Sequence, residues 1–387
     1  MTDVRVAVVG AGAAGLSTAF QVAERTAAAV TVIDKDYPAS GSSGLSAGIF
    51  NRQTQKRPEL ELRCHSVDFF ASMEREGKLD LVRNGYIRVA RTEEHLSAFE
   101  ETIGVQRTLG VEDSRVIDAS ELGEMVPGLD VDQYAGGLCG PSDGFLDGHL
   151  LCGAYLERGE ASGVELRPRT SVEAIEEIPG GLRVVTDRDP IECDMVVNAA
   201  GGWAPEVAAM MGVSMSVHNE RHRICVAHLA EPLFELPPTV NTYVPGSGES
   251  ALYIRPEAVD RLLVGLHSHE VSGDPADPDD YARSVEFDHL EVLARELEKR
   301  LPRWPDLRLE AGWAGLYPIS PDGLFQVGPQ PGDPRMISVG GLGGVGLTVS
   351  PAVGQIAAEW IVDGASALPF ADQLLPGRDS LATERAQ

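Results

Sequence analysis

The sequence predicts an α/β fold of two domains that opens on a βαβ unit. Three observations predict it. The chain of 387 residues exceeds what one hydrophobic core usually organises. An apolar, β-branched run leads directly into Gly10-Ala11-Gly12-Ala13-Ala14-Gly15. A second apolar run closes on Asp34, nineteen residues after Gly15.

Val4 to Val9 is apolar apart from Arg5, the pattern of a strand buried on both faces of a parallel sheet. Leu16, Ala19, Phe20 and Ala23 recur at i, i+3, i+4 and i+7, which predicts an amphipathic helix. The glycines therefore stand at a strand-to-helix turn. Gly10 permits the tight turn, Gly12 lets a pyrophosphate approach the backbone, and Gly15 allows close helix packing. The helix N-terminus offers N–H groups to the anion, and Asp34 ends the second strand where a ribose is held. A dinucleotide site follows.

The small-residue stretch from Ser40 to Gly48 can wrap a second phosphate and a ribityl chain, and the chain then enters a helix over about 58–76 instead of another βαβ unit. Residues 195–204 and 337–347 are apolar strands running into glycine-rich turns, and Ser350-Pro351 precedes an apolar helix through Ile356, Ala357, Trp360 and Ile361. Three distant segments converge on one elongated cofactor. A nicotinamide-binding regulator would leave the serine loop and the C-terminal glycines without a role.

Between these segments, residues 85–90 alternate as a half-buried strand, a helix runs from Thr92 to about Leu109, and 121–126 predicts a short helix. Strands are expected over 224–228, 252–255 and 262–267, and a helix over 288–301 ended by Pro302. The acidic, proline-broken stretch 273–280 reads as a solvated loop without calcium-loop spacing. Residues after Gly377 read as a frayed tail.

The formal net charge is −27, with 59 Asp+Glu against 32 Lys+Arg, and no basic stripe offsets it, so nucleic acid is not expected as a partner. Only four of the bases are Lys, the skew of proteins from salt-accumulating cytoplasm. Five scattered cysteines without a C-x-x-C pair predict reduced thiols and no structural zinc. No leader pattern and no 18-residue apolar span is read, so a cytoplasmic protein without a transmembrane segment is expected.

In this order, the N-terminal glycine motif with Asp34, the 42–48 loop, Gly140-Pro141-Ser142-Asp143-Gly144, Asn198-Ala199-Ala200-Gly201, Leu252-Tyr253-Ile254-Arg255-Pro256-Glu257, the 313–323 stretch from Trp313 to Gly323 and the C-terminal glycines resemble one family. It is that of the D-amino-acid-oxidase-like FAD oxidoreductases, in the branch of sarcosine oxidases, dimethylglycine dehydrogenases and glycine oxidases. The resemblance covers nearly the whole chain. It implies a discontinuous Rossmann-like FAD-binding domain (1–84, 145–215 and 309–387) and a substrate domain on a mainly antiparallel sheet (85–144 and 216–308). The expected FAD contacts are Gly10, Gly12, Ala13, Ala14, Gly15, Asp34, Lys35, Ser42, Ser43, Ala47, Gly48, Val172, Ala200, Gly201, Trp203, Gly341, Gly343, Gly344, Val345, Gly346, Leu347 and Thr348. The cysteine and histidine that tether flavin in relatives have no counterparts at 315–320 or near Gly48, so FAD is expected to be non-covalent.

Oxidation of an α-carbon C–N bond needs the carbon held near the flavin, an unprotonated amine and a cation for the carboxylate. The resemblance places His267 beside the flavin and Arg52 facing the active site as a carboxylate anchor. Tyr253 and Arg255 alternate on one strand and share a face, and the turn around Trp313 brings Tyr317 near the flavin. Leu263 stands where monomeric sarcosine oxidases place an oxygen-activating lysine, Thr348 where they bind carboxylate with another, and Tyr317 where glycine oxidases carry an arginine. The expected substrate is a small secondary or N-methylated amino acid, with electrons leaving to oxygen or a carrier. A D-amino acid, glycine or 2-hydroxy acid substrate is the near alternative, and a FAD-carrying subunit of a heteromeric dehydrogenase the more distant one. A homo- or hetero-oligomer is compatible with either.

Overall fold

The structure is a computed structural model that describes residues 4–244, 251–266, 274–304 and 306–383. One six-stranded sheet draws its strands from both ends and the middle of the chain, in the order Gln326–Gln330, Asp333–Gly340, Met195–Asn198, β1 (Arg5–Val9), β2 (Ala29–Ile33) and Glu165–Arg167. Every neighbouring pair runs parallel except the first. β1 is central, and its alternation explains its apolar sequence. Val6 and Val8 join the core beneath the helices, whereas Ala7 and Val9 join a second core on the opposite face.

Helix α1 (Ala13–Arg25) follows β1, and α2 (Arg57–Arg75) lies on the same side, with the helix Gly346–Asp363 packed against both. A Cβ on Gly354 would stand 2.3 Å from Ser17 Oγ, so glycine sets how closely this helix crosses α1. The helix begins at Gly346, earlier than the proline at 351 suggests. Pro351 has no N–H for the Leu347 carbonyl, and Ser350 Oγ donates to that oxygen at 2.9 Å instead. Residues Gly343–Asp363 are long and apolar enough to cross a membrane, which corrects the reading that no such span exists; 67% of the apolar 18-residue window within them is buried inside the protein.

The second large element is a nine-stranded sheet. It is antiparallel except where Thr239–Asn241 pairs with Tyr86–Ala90. Its long strand, His218–His228, starts six residues before the expected one and pairs along its length with Arg308–Ile319. Residues 309–319, expected with the cofactor segments, therefore hydrogen-bond into this sheet. Leu293 and Leu297 of the amphipathic helix Phe287–Arg300, with Leu301 at its end, close its core. The C-terminal segment is also better held than expected. Arg378 donates to both oxygens of Asp322 at 2.7 Å and to the carbonyls of Leu324 and Phe325. All five cysteines are buried and unpaired, and burial pushes the Cys64 and Cys152 thiols up to about 12.

Candidate active site

A cavity of about 450 Å³ lies where four parallel strands end: Val9, Ile33, Ala199 and Gly340 all border it. The carboxyl ends of such a sheet form the usual ligand crevice. Here the large sheet supplies the facing wall, through His222, Tyr253 and Tyr317.

The turn after β1 is shaped by close approach. Gly10 has φ +109°, and a Cβ there would meet Ala199 O at 2.4 Å. A Cβ on Gly15 would meet Gly10 O at 2.0 Å, so the helix can start this close to the strand only with glycine. No side chain caps α1 at Gly12, and no acid stands in its first turn, which keeps its positive end open to an anion. Ala13 N donates to Ser43 Oγ at 3.0 Å, tying the serine loop to that end. Ser42 Oγ donates to Leu316 O at 2.7 Å and Trp313 Nε1 to Leu45 O at 2.8 Å, which pins the loop to the large sheet.

Asp34 accepts from Ala11 N at 2.6 Å and from Asp36 N at 2.8 Å, one bond to each oxygen. Burial pushes its carboxyl up, and those two N–H groups oppose the shift. A carboxylate so oriented keeps lone pairs for ribose hydroxyls. These features fit a dinucleotide cofactor: a glycine cradle that a Cβ would fill, an uncapped helix end and a fixed acid.

Of the expected contacts, Gly10, Gly12, Ala13, Ala14, Asp34, Lys35, Ser42, Ser43, Ala47, Val172, Ala200, Gly201, Trp203, Gly343, Gly344, Gly346 and Leu347 line the cavity. Gly15, Gly48, Gly341, Val345 and Thr348 are not among the lining residues. Gly48, at φ +70°, packs on the Leu146 carbonyl, Gly341 on Ser320, and Thr348 is buried with its hydroxyl donating to Ile49 O at 2.8 Å.

On the facing wall, the rings of His222 and Tyr317 stack with centroids 3.9 Å apart and 18° between planes. A Cβ on Gly344 would lie 2.4 Å from the Tyr317 ring, and one on Gly265 2.4 Å from the Tyr253 ring. Both tyrosines thus lie directly against backbone. Burial pushes the Tyr317 hydroxyl up to about 12 and the Tyr253 hydroxyl well up, so both stay protonated donors. His222 Nε2 stands 3.1 Å from Glu220 Oε2. Burial lowers the His222 pKa and Glu220 opposes that shift, so the imidazole is neutral at pH 7. Donation to a carboxylate puts the proton on Nε2 and the lone pair on Nδ1.

Two expected cations do not line the cavity. Arg52 is buried and not among the lining residues, with Nε donating to Asp143 Oδ1 at 3.0 Å and further contacts to Ser142 and Asp113. Arg255 pairs with Glu257 and lies 4.2 Å over the Phe145 ring, also outside the lining. His267 lies outside the described residues. The sequence reading missed His222, Glu206, Asp279, Tyr281 and Arg283, all of which line the cavity. The described part of that acidic stretch, 274–280, is likewise not simply solvated, because Asp279 Oδ1 accepts from Lys35 Nζ at 2.9 Å and from Trp203 Nε1 at 2.8 Å.

Residues 5–360 match the family described as DAO, FAD dependent oxidoreductase, and the chain belongs to that family. It is an FAD-dependent oxidoreductase. It is 26% identical to the glycine oxidase of Geobacillus kaustophilus over 365 residues, 92% of each chain. It is 25% identical to the formaldehyde-forming 4-methylaminobutanoate oxidase of Paenarthrobacter nicotinovorans, covering 99% of this chain and 45% of that one. The chain thus spans nearly all of one relative and under half of the other. The fold matches L-proline dehydrogenase from P. horikoshii with a TM-score of 0.85 at 23% identity, over 100% of this chain and 99% of that one.

Proposed function

We propose that this chain oxidises the CH–NH bond of a small secondary or N-methylated amino acid, with FAD bound non-covalently in the cavity. The observation that carries the reading is the stacked His222–Tyr317 pair, half-buried beside Tyr253 on the wall that faces the nucleotide turn. Bound FAD supplies the two-electron acceptor. The chain's own residues supply position and proton handling. The α1 N-terminus and Ser43 hold the phosphates, and Asp34 holds the ribose.

Neutral His222 accepts the ammonium proton of the substrate, since only the free amine has the lone pair that assists loss of the α C–H bond. The Tyr253 and Tyr317 hydroxyls donate to the carboxylate, a role left to them because Arg52 and Arg255 are engaged elsewhere. Leu45, Ile224 and Leu266 line the same cavity and give an N-methyl group or ring an apolar surface. The substrate named for the second relative carries an N-methylamino group, which agrees with that wall. The oxidised product is an imine, hydrolysed by water to an aldehyde or keto acid.

Turnover in molar KCl with an artificial electron carrier, using sarcosine, dimethylglycine, proline, glycine, D-alanine and 2-hydroxyglutarate in turn, tests the substrate class. Secondary amino acids are expected to be oxidised; turnover of 2-hydroxyglutarate alone would overturn the reading. Leu263 is 4% exposed and apolar, so no cation there stabilises superoxide. The reduced protein is therefore expected to reoxidise slowly in air and quickly with the carrier, as followed by recovery of the flavin absorbance. Asp34→Ala removes the ribose acceptor and is expected to weaken FAD binding by about 1.5–3 kcal/mol. Flavin content after gel filtration checks it, and full retention would move the adenosine elsewhere.

A further inference from the structure

The nucleotide half of the cavity has a charge problem. FAD brings two phosphates, the α1 N-terminus offers only about half a positive charge, and the protein carries −27. Among the described residues, three side-chain cations of arginine and lysine line the cavity: Lys35, Arg223 and Arg283. Arg223 is engaged by Glu286 at 2.9 Å and by Asp274. Lys35 is engaged by Asp279 and lies 3.6 Å over the Trp203 ring. Arg283 makes no ion pair or side-chain hydrogen bond among the described residues, and its guanidinium lies 5.6 Å from the Tyr281 ring.

Its place is fixed by backbone. Ala314 N donates to Arg283 O at 2.9 Å. The neighbouring positions Trp313 and Leu316 hold Leu45 and Ser42 of the serine loop, and that loop's Ser43 accepts from Ala13 at the helix N-terminus. Four residues before Arg283, Asp279 ties the same segment to Lys35, the residue after the ribose acid. Residues 279–283 therefore run from the ribose acid to the phosphate loop, although the chain enters them from the large sheet through Asp274–Pro275.

We propose that residues 279–283 are a cofactor strap, in which Arg283 supplies the cation for the FAD diphosphate and Asp279 latches the strap to Lys35 and Trp203. A guanidinium is suited to two phosphate oxygens at once, and it adds the charge that the helix end lacks. The Lys35–Trp203–Asp279 contacts close the adenosine side and slow release of the cofactor. The proposal rests on FAD occupying this cavity and is independent of which substrate the protein takes.

The test is the rate of FAD release from the holoprotein, read as recovery of free-flavin fluorescence after dilution, in wild type, Arg283→Gln, Arg283→Lys and Asp279→Asn. Arg283→Gln is expected to release FAD at least tenfold faster, Arg283→Lys to restore most of the difference, and Asp279→Asn to release it about three- to tenfold faster. The amino acid concentration giving half-maximal flavin bleaching should stay within twofold in Arg283→Gln. Wild-type release rates in Arg283→Gln and Asp279→Asn would overturn the strap. An unchanged release rate with a tenfold higher half-bleaching concentration would also overturn it, and would assign Arg283 to the substrate carboxylate. Release needs no substrate, so failure of the amine reading leaves this test intact.

Discussion

Replacing His222 with Asn is expected to slow flavin reduction by the substrate roughly 100- to 10,000-fold, the range that loss of a positioned acid–base group gives. FAD should remain bound. The sign of the pH dependence follows from the cause of the shift. Burial disfavours the imidazolium, so the folded His222 titrates below its ordinary 6.5. Below that pKa the ring is protonated and cannot take the ammonium proton, and the reduction rate falls as pH falls through it. Above it the limb due to His222 is flat. Anaerobic stopped-flow reduction across pH should show this acid limb in wild type and its loss in His222→Asn. An unaltered rate and profile would reduce His222 to a packing partner of Tyr317.

Arg52→Ala is expected to destabilise the fold by about 3–5 kcal/mol, the cost of leaving a buried charge without its partner. Asp143 is 0% exposed and receives three bonds from the 52–53 segment: Arg52 N at 3.2 Å, Arg52 Nε at 3.0 Å and Gln53 Nε2 at 2.7 Å. Burial pushes its carboxyl up and Arg52 opposes that, so removing the guanidinium lets desolvation dominate. Against a total stability of about 5–15 kcal/mol, the loss is large. Urea denaturation of the holoprotein measures it, and adding Asp143→Asn should recover part of the loss. A stable Arg52→Ala protein with a raised half-saturating substrate concentration would restore Arg52 to the carboxylate.

What was legible in the sequence was local. Gly10, Gly12, Gly15 and Asp34 announce the βαβ turn because each is required by backbone approach or by a strand end within thirty residues. The apolar β1 betrays its two-faced burial in the same way. The setting of Arg52 was not legible because its partner Asp143 lies 91 residues away, and that of Arg255 because the Phe145 ring under its guanidinium is distant in sequence although its partner Glu257 is not. His222 escaped notice for the opposite reason. The run His218 to Arg223 is too polar to resemble a sheet strand, and the ring that stacks on His222 belongs to a strand far along the chain. Asp279 sits in a breaker-rich acidic stretch, and its partner Lys35 is 244 residues away. The start of the helix at Gly346 was hidden by Pro351, whose orphaned carbonyl partner is rescued by a serine hydroxyl.

The most direct test of the account is anaerobic visible spectroscopy of the purified protein in molar KCl, where a Debye length of about 3 Å screens its self-repulsion. A secondary or N-methylated amino acid should bleach the bound flavin, with slow recovery on admitting air. A fully FAD-loaded protein that no amine bleaches would contradict the proposed oxidation of a CH–NH bond.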